Sequence, residues 1–422
     1  MSASQRIFVS AGEASGDLYG SLLIEALRAR LGGGEFFGCG GDRMRAAGCR
    51  TLVDARELAM VGIVEVLPGL PRAWRALQLL KNSAKKDRPA LAILVDFPDF
   101  NLRLAKELKR LGTPVVYFVA PQVWAWRAGR LKTLRRNVDR LLCIFPFEEE
   151  FFQAGGVAAE FVGHPLVTRV APALSAEEFR ARFGLPAATP LVALLPGSRR
   201  REIELNLPPL METARILAAG KQYCFVVPAA STVGAEWVRG QVRESGVACH
   251  VVEGHTYDVL AHSRAAVVAS GTATIETALL GTPMVVVYRV SRATWLIGKD
   301  LVHTPFYSMV NIVAGQRIVP EFIQDDFQPE AVARDVRLLL ESELLRDRMR
   351  QQFREMAEKL RAPAAVPSPR PPGERENGEK PPQGEKFMDP IQRAAGIAES
   401  FLKGTAKPDI PAGRQWTPRF SR

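Results

Sequence analysis

The chain has 422 residues, 47% apolar and 24% charged, so it is long enough for two or three domains with buried cores. This composition excludes a wholly disordered or fibrous protein. Its 56 lysines and arginines outnumber its 45 aspartates and glutamates, and the net charge of +11 favours an anionic partner: nucleic acid, an acidic membrane surface or a phosphorylated substrate.

Two α/β domains are predicted from the alternation of short β-rich runs with amphipathic segments. The strand-like runs of the first half are residues 6–10, 91–95, 115–119 and 141–145. Helical segments are predicted at residues 18–31, 102–111, 127–138 and 148–154. After residue 165 the pattern restarts, with strands at 191–195, 223–227, 249–252, 265–269 and 284–288. We therefore expect two doubly wound parallel sheets with a ligand cleft between them.

The predicted domain boundaries follow from this pattern and from one change in composition. An N-terminal domain is expected at residues 1–165 and a second at 166–361. Residues 362–386 contain seven prolines and three glycines, which predicts a disordered insertion because so few side chains can be buried. Residues 387–422 are predicted to form a helix and a basic tail.

Neither a disulfide framework nor a membrane span is predicted. The five cysteines are scattered without a CxxC pair, which is typical of reduced thiols in a cytosolic protein. The first residues lack the features of a secretory signal. The most apolar window, residues 265–288, contains Glu276 and Pro283 and is interpreted as strand, turn, helix, turn and strand. Membrane contact is therefore expected to be peripheral.

The first candidate site is the turn that follows the first strand. Gly12, Glu13 and Ser15 lie where backbone N–H groups open a helix, an arrangement that suits an anion or a polar substrate. The spacing is not that of a dinucleotide fingerprint. A tight turn with an Asp or Ser helix cap explains the same residues, and the spacing alone does not choose between these readings.

Two carboxylates follow the strand at residues 91–95. Ligands of open α/β sheets bind outside this edge, and a partly desolvated carboxylate there can act as a general base. We assign this chemistry to Asp96 and the capping of the following helix to Asp99.

The second domain carries two phosphate-binding candidates. In LPGSR, at residues 195–199, Ser198 offers a hydroxyl and Arg199 a guanidinium matched to phosphate oxygens. Of the arginines at 199–201, one is expected to point inward and two outward.

The other candidate is the run of small residues Ser270, Gly271 and Thr272, which opens a helix with donors for phosphate. Glu276, one turn later, can accept hydrogen bonds from ribose hydroxyls. Compensation of the helix dipole by an acid is the alternative explanation and is compatible with the first.

Two stretches suggest contact with a membrane. Residues 60–70 are apolar, and the helix predicted at 71–82 places Trp74, Leu77 and Leu80 on one face. An interfacial helix has this pattern, but so does an ordinary core-facing helix, which is the commoner explanation. Residues 102–140 hold ten lysines and arginines against two acids, with tryptophans between them, which suits nucleic acid or anionic lipid. The five histidines show no metal-ligand spacing, so no metal site is predicted.

Six motifs occur in the order found in one enzyme family: AGEASGD at 11–17, DFPDFN at 96–101, PQVWAWR at 121–127, FVGHP at 161–165, LPGSR at 195–199 and SGTATIE at 270–276. In these motifs the chain resembles the lipid-A-disaccharide synthases, from about residue 6 to 361 and again from about 388 to 403. The resemblance implies a GT-B-like architecture of two Rossmann-like domains facing a cleft, with C-terminal helices that cross back to the N-terminal domain.

The resemblance also implies an activity. Members of the family transfer 2,3-diacylglucosamine from UDP to the 6-hydroxyl of 2,3-diacylglucosamine 1-phosphate and release UDP. They form a β-1′,6 linkage with inversion, as part of lipid A and lipopolysaccharide synthesis in Gram-negative bacteria. No metal or other cofactor is expected. The implied location is the cytoplasm, peripherally on the inner face of the inner membrane, with an anionic membrane surface as a partner and a homodimer as the assembly.

By resemblance, Asp96 matches the essential aspartate of the family and Arg199 its essential arginine. Glu276 and Asn311 fall where the family contacts the uridine nucleotide. Two other functions are weighed. A UDP-N-acetylglucosamine 2-epimerase shares the two-domain plan and the UDP site but not the six motifs. A nucleic-acid-binding protein would explain the charge, but no RRM, KH or helix-turn-helix signature is visible, so no nucleic-acid partner is expected.

Overall fold

The structure is a computed structural model of the chain. It describes residues 5–59, 66–126, 128–230, 233–292, 294–295, 304–362 and 387–406. The predicted insertion, except Ala362, and the predicted basic tail beyond residue 406 lie outside the described residues. The described chain divides into two units: unit 1 is drawn from Met1–Pro165 and Leu360–Pro418, and unit 2 from Leu166–Lys359.

Unit 1 is built on a seven-stranded, wholly parallel sheet with the order β3-β2-β1-β4-β5-β6-β7. Its strands are β1 (Arg6–Ala11), β2 (Glu35–Gly40), β3 (Cys49–Asp54), β4 (Leu91–Val95), β5 (Val115–Phe118), β6 (Arg140–Cys143) and β7 (Ala159–Phe161). The inner strands β4 and β5 are completely buried, as expected where helices cover both faces of a parallel sheet.

Helices connect these strands. They are α1 (Ala14–Leu31), α2 (Asp42–Ala46), α3 (Ala55–Ala59), α4 (Val66–Asp87), α5 (Pro98–Arg110), α6 (Val123–Trp126), α7 (Leu131–Asn137) and α8 (Pro146–Ala154). A 3₁₀ turn at Ala128–Arg130 precedes α7. Helix α1 ends at Gly32, whose φ of 67° is the left-handed conformation that closes many helices.

Unit 2 repeats the plan with a six-stranded parallel sheet in the order β10-β9-β8-β11-β12-β13. Its strands are β8 (Leu191–Leu195), β9 (Cys224–Ala229), β10 (Cys249–Glu253), β11 (Ala265–Ala269), β12 (Met284–Tyr288) and β13 (Glu321–Ile323). Its helices are α9 (Ala176–Phe183), α10 (Arg200–Ala218), α11 (Ala235–Glu244), α12 (Thr256–Ala261), α13 (Thr272–Leu279), α14 (Met309–Ala314), α15 (Pro329–Glu341) and α16 (Glu343–Lys359).

The last described helix, α17 (Pro390–Leu402), belongs to unit 1 and packs against α1. Glu399 accepts a hydrogen bond from Arg30 on α1 at 2.7 Å, and Arg393 forms an ion pair with Glu160 of β7 at 3.2 Å. Asp389 caps the helix by accepting from the backbone N–H of Ile391. The predicted return of the C-terminal helix to the N-terminal domain is confirmed.

Each sheet has one point where the strand order reverses. In unit 1 this point lies between β1 and β4, and in unit 2 between β8 and β11. The loops that leave the carboxyl ends of two such strands run in opposite directions and open a crevice, where ligands of doubly wound proteins bind. The four candidate motifs follow β1, β4, β8 and β11, so the topology brings them to these two crevices.

The face predicted for helix α4 is divided in the structure. Leu77 and Leu80 are 6% and 0% exposed and belong to the core, whereas Trp74 is 61% exposed. Leu77, Leu80 and Ala84 recur at intervals of three and four residues and form the buried stripe, with Trp74 at its edge. The predicted membrane patch is therefore wrong for Leu77 and Leu80. No helix among the described residues is long and apolar enough to span a bilayer.

The second acid of the AGEASGD motif, Asp17, has a structural role. Asp17 is buried, and its carboxylate accepts hydrogen bonds from the backbone N–H groups of Gly41 at 2.6 Å, Arg43 at 3.0 Å and Met44 at 3.1 Å. It therefore caps the start of α2, a segment remote in sequence, rather than its own helix.

Replacing Asp17 by alanine should destabilise unit 1 because three backbone N–H groups, two of them buried, lose their acceptor. We expect a loss of about 3 kcal/mol, or a fall of about 6–12 °C in melting temperature. Ser15→Ala, an exposed position in the same motif, is the matched control and should leave the melting curve unchanged. Equal melting temperatures for both variants would show that Asp17 is not a structural cap.

Candidate active site

The backbone at the end of β4 has an unusual conformation. Asp96 and Phe97 are consecutive non-glycine residues with φ of 46° and 52°, a left-handed region that costs roughly 1–3 kcal/mol per residue. Two donors hold the turn: the hydroxyl of Tyr117 lies 2.6 Å from the Asp96 carbonyl oxygen, and the side-chain amide of Asn101 lies 2.8 Å from the same oxygen. These contacts fix the backbone of Asp96, and with it the point from which its side chain extends.

Asn101 also connects β4 with β1. It is completely buried, and its amide nitrogen lies 3.2 Å from the carbonyl oxygens of both Ser10 and Val95. In return, the hydroxyl of Ser10 donates to the Asn101 side-chain oxygen at 2.7 Å. One amide thus fastens the carboxyl ends of the two strands that flank the switch point of unit 1.

The predicted Gly12–Ser15 turn lies at the same point, and Gly12 is needed for a packing reason. A Cβ atom at position 12 would lie 2.2 Å from the ring of Phe97, so only glycine admits that ring. Glu13 has extended backbone, precedes α1 and accepts a backbone hydrogen bond from Asp17 at 2.8 Å. Ser15 is exposed in the first turn of α1. The N-terminus of an 18-residue helix thus opens beside Asp96.

Asp99 does not cap α5, contrary to the sequence prediction. The residue before α5 is Phe97, and no side chain caps the helix, which begins with Pro98. Proline suits the first helical position because its φ is already fixed near the helical value. Asp99 forms an ion pair with Arg130, whose side chain is only 17% exposed. Burial raises the pKa of the Tyr117 phenol well above its usual value, and the nearby charge of Arg130 partly offsets this increase.

In unit 2, the LPGSR turn wraps around a carboxylate of α10. Glu202 accepts from the backbone N–H of Ser198 at 3.1 Å and of Arg199 at 3.3 Å, and it pairs with the Arg199 guanidinium at 3.2 Å. The turn requires Gly197, whose φ is 127°. The Arg199 side chain is 66% exposed, so it is available to a ligand anion while the carboxylate keeps it beside α10.

None of the three successive arginines is buried, contrary to the expectation that one points inward. Arg200 lies over the ring of Trp237, 5.3 Å from its centroid, and Arg201 pairs with Glu204 at 3.1 Å. Because α10 begins at position 200, Arg199 stands at the helix N-terminus. Its charge also acts on Tyr288 at the end of β12, whose pKa is raised mainly by burial.

The Ser270–Thr272 turn follows β11 on the other side of the unit 2 switch point. The Ser270 hydroxyl donates to the carbonyl oxygen of Tyr307 at 2.8 Å, while Gly271 has a φ of 154° and Thr272 begins α13 with an exposed side chain. Glu276 accepts a hydrogen bond from the hydroxyl of Tyr257 at 2.9 Å. Burial raises the pKa of Glu276, and this hydrogen bond partly offsets the increase.

Two comparisons by sequence identify the family. The family described as Lipid-A-disaccharide synthetase matches residues 7–365. The lipid-A-disaccharide synthase of Solibacter usitatus is 48% identical over 362 residues, which cover 86% of this chain and 94% of that protein. That of Myxococcus xanthus is 47% identical over 361 residues, 85% of this chain and 94% of the relative. The chain belongs to the lipid-A-disaccharide synthetase family. It is therefore a glycosyltransferase of lipid A biosynthesis.

Comparison with solved structures confirms the predicted GT-B-like fold class. A calicheamicin glycosyltransferase matches with a TM-score of 0.57 at 16% identity, over 96% of this chain and all of the other. A UDP-GlcNAc 2-epimerase from Neisseria meningitidis, solved with UDP-GlcNAc bound, matches with a TM-score of 0.57 at 11% identity, over 94% of this chain and 100% of the other. At these identities the likeness concerns the fold alone.

One residue carried over from the lipid-A-disaccharide synthetase family has an internal role in the structure. Asn311 is completely buried; its side-chain oxygen accepts from the backbone N–H of Ile318 at 2.8 Å and of Val319 at 3.0 Å. Its amide nitrogen donates to the carbonyl oxygen of Val319 at 3.0 Å. These contacts argue against the expected contact with nucleotide, because the side chain already holds together the segment that follows α14.

Several residues of this family member were not singled out from the sequence. Tyr117 and Asn101 fix the Asp96 turn, Arg130 pairs with Asp99, and Tyr257 holds Glu276. The signal for two of them is position, because Tyr117 lies in β5 and Asn101 in the first turns of the helix that follows β4; Arg130, in the 3₁₀ turn before α7, has no such signal. The described residues contain no cluster of three His, Cys, Asp or Glu side chains suited to a metal ion.

Proposed function

We propose that the protein transfers the 2,3-diacylglucosamine unit of its UDP derivative to the 6-hydroxyl of 2,3-diacylglucosamine 1-phosphate, with inversion at the anomeric carbon. The observation that carries this proposal is the Asp96 carboxylate on a turn fixed by Tyr117 and Asn101 at the ligand-binding edge of unit 1. Membership of the family supplies the class of reaction.

Inversion needs a single displacement. Asp96 accepts the proton of the acceptor 6-hydroxyl while that oxygen bonds to the anomeric carbon and the bond from this carbon to the diphosphate oxygen breaks. The electron pair leaves with UDP. A base held in place by its backbone needs little reorganisation during this step, which is why a fixed turn suits the role.

Unit 2 supplies the groups for the leaving diphosphate. Arg199 provides a forked cation at the start of α10, and Ser198 and Thr272 lie at the openings of two helices whose dipoles favour negative charge. Gly271 has a φ of 154°, which a residue with a side chain would adopt only with strain. Because glycine has no Cβ, the backbone at the start of α13 can approach a phosphate closely. Glu276, held by Tyr257, is assigned to the ribose hydroxyls.

A groove in unit 1 fits the lipid part of the substrates. It has a volume of about 600 Å³ and is lined by Pro71, Ala73, Trp74, Arg75, Leu77, Phe100 and Arg103. The ring of Phe100 lies 5.4 Å from that of Phe97, so the groove adjoins the Asp96 turn. Apart from its arginines the wall is hydrocarbon, as an acyl chain requires, and both arginines are exposed and suit anionic groups at its mouth.

The same features support peripheral binding to an anionic membrane surface; we propose the inner face of the inner membrane, as the family resemblance of the sequence implies. Trp74 is exposed at the edge of the groove, and the basic stretch 102–140 includes most of α5 and all of α7. Exposed Trp with flanking arginines is the composition of an interfacial helix, while Leu77 beneath it belongs to the core. A lipid substrate could reach Asp96 along this groove without leaving the surface completely.

Asp96→Asn should lower kcat by about 10²–10⁴ while the Kd for UDP stays unchanged, because the amide cannot accept the proton. Asparagine tolerates left-handed backbone, so the turn should persist. Initial rates and calorimetric titration of UDP measure the two effects. Asp99→Asn, the neighbouring exposed carboxylate, is the control and should keep most of the activity. A variant Asp96→Asn with more than about a tenth of wild-type activity would exclude Asp96 as the base.

Arg199→Ala should reduce kcat/KM by about 10²–10³ and also weaken UDP binding, since a charge-assisted contact to phosphate is lost. Arg201→Ala is a closely matched control, because that arginine is equally exposed and pairs only with Glu204 among the described residues. Its rate and UDP affinity should match those of the wild type. If Arg199→Ala leaves both quantities unchanged, Arg199 has no part in the site.

Trp74→Ala should raise KM for acceptors with long acyl chains about tenfold, while a water-soluble acceptor without acyl chains is used as before. It should also weaken binding to anionic vesicles, and the part of binding that persists in high salt should fall most. Leu338→Ala in α15, which is 51% exposed, is the control for loss of an exposed apolar side chain. Equal changes in KM for both acceptors would remove the groove from lipid binding.

A further inference from the structure

Helix α8 contains a carboxyl group without any exposed surface. Glu148 is 0% exposed; one of its oxygens accepts from the indole N–H of Trp124 at 3.1 Å and the other from the backbone N–H of Phe145 at 3.2 Å. Trp124 follows β5 and Phe145 follows β6. The carboxyl group therefore ties together two loops at the carboxyl edge of the unit 1 sheet.

This pair of loops adjoins the Asp96 turn, because β4, β5 and β6 are neighbours in the sheet. The Asp96 backbone N–H donates to the carbonyl oxygen of Phe118 at 2.9 Å, and that of Val119 to Leu142 at 3.1 Å, so the three strand ends are linked in sequence. The charge of Asp96 is also felt at Glu148, whose pKa it helps to raise.

The surroundings of Glu148 are aromatic. The ring of Trp124 meets that of Phe147 edge-on at 4.9 Å, Phe147 stacks on Phe145 at 5.9 Å, and Phe145 contacts the ring of His164 at 5.2 Å. No lysine or arginine among the described residues forms an ion pair with Glu148. A buried carboxylate without a cation is costly, so the neutral acid is the form that this environment favours.

A glutamate at the third position of a helix commonly accepts the N–H that precedes the helix, and this contact alone would make Glu148 a structural cap. Two features go beyond capping. The carboxyl group is wholly buried rather than at a solvated helix end, and its second oxygen is used by a side chain from another loop, next to the strand that carries Asp96.

We propose that Glu148 is a positioning residue of the transfer reaction, which as a neutral acid holds Trp124 and its loop in place without adding a second buried charge beside Asp96. This proposal rests on the proposed role of Asp96 as the base. Glu148 itself touches neither substrate, and its effect on the rate is exerted through the Trp124 loop and through the electrostatic environment of Asp96.

Within the part of the chain that the structure describes, the charged and titratable groups that face this region supply no compensating cation. Asp96 lies at the end of β4, and the Cys143 thiol ends β6 with its pKa raised by burial. His164 is neutral near pH 7 because burial lowers its pKa to about 3. On the same helix, burial raises the pKa of Glu149. Deprotonation of Glu148 would therefore add a charge that these neighbours do not neutralise.

This arrangement makes stability depend on pH. Burial raises the pKa of Glu148 from 4.5 to about 8, so the folded state binds the proton more tightly than the unfolded state does. The free energy of unfolding should therefore fall as pH rises from about 4.5 through about 8, and remain at its lower value above that range. Glutamine has no proton to lose, so the decrease due to this group should disappear in Glu148→Gln.

The test compares Glu148→Gln, Glu148→Ala and Trp124→Phe in the full-length protein, with Glu149→Gln as the control from the next position. Melting temperature, kcat and KM are measured from pH 5.5 to pH 9. We expect Glu148→Gln, whose single amide oxygen can still accept from Trp124, to keep kcat within about threefold at pH 7 and to lack the wild-type decline in kcat and melting temperature toward pH 9. Glu148→Ala and Trp124→Phe should lower kcat at least about tenfold with little change in UDP affinity, and Glu149→Gln should resemble the wild type.

Three results would overturn the proposal while leaving the proposed function intact. One is a Glu148→Gln variant as impaired as Glu148→Ala, which would mean that a neutral side chain at this position cannot hold Trp124. Another is a Glu148→Gln profile that declines with pH as the wild type does. The third is a Glu148→Ala variant with a lower melting temperature but unchanged kcat, which would make Glu148 a structural cap only. Failure of the proposed function shows separately, as an active Asp96→Asn variant.

Discussion

The left-handed turn at Asp96 and Phe97 is the constraint on which the site of unit 1 depends. Two successive residues with positive φ would relax if they were not held from several directions. Tyr117 and Asn101 hold the carbonyl oxygen of Asp96, and the ring of Phe97 occupies the space left by the missing Cβ of Gly12. Each restraint comes from a different element, so the sheet as a whole directs one carboxylate.

The candidate charged groups of the two units differ in how firmly they are held. In unit 1 the backbone of Asp96 is fixed by part-buried hydrogen bonds to its carbonyl oxygen, which suits the proposed base that must meet one hydroxyl. In unit 2 the Arg199 guanidinium is largely exposed and pairs with Glu202 beside the start of α10, where the proposed function places the diphosphate. Under the proposed function, an exposed guanidinium suits a leaving group whose negative charge grows as its bond to the anomeric carbon breaks.

The sequence could predict those parts of the molecule that depend on local pattern. The apolar runs of β1, β4 and β5 predicted buried parallel strands, and the ordered motifs predicted the family. The strand β2 was missed because Gly38 and Gly40 weaken its β signal, and β7 because it has only three residues. The burial of Leu80 could not be predicted from periodicity, since core-facing and interfacial helices share one pattern.

Residue roles set by tertiary contacts were equally out of reach. Glu148 lies in a run of three glutamates, a pattern that is typical of a solvated helix face. The burial of its carboxyl group depends on a contact with Trp124, 24 residues earlier in the chain, which the local pattern does not show. Asn311 was assigned to the nucleotide from its motif, but its side-chain amide is hydrogen-bonded to the backbone of Ile318 and Val319.

The groove of unit 1 connects the helix α4 with the turn that carries Asp96. Leu77 and Phe100 both line it and both belong to the core, and Phe100 contacts Phe97 of the strained turn. An acyl chain in the groove would therefore pack against side chains that support Asp96, so under the proposed function binding energy from the lipid would help to hold the proposed base in place.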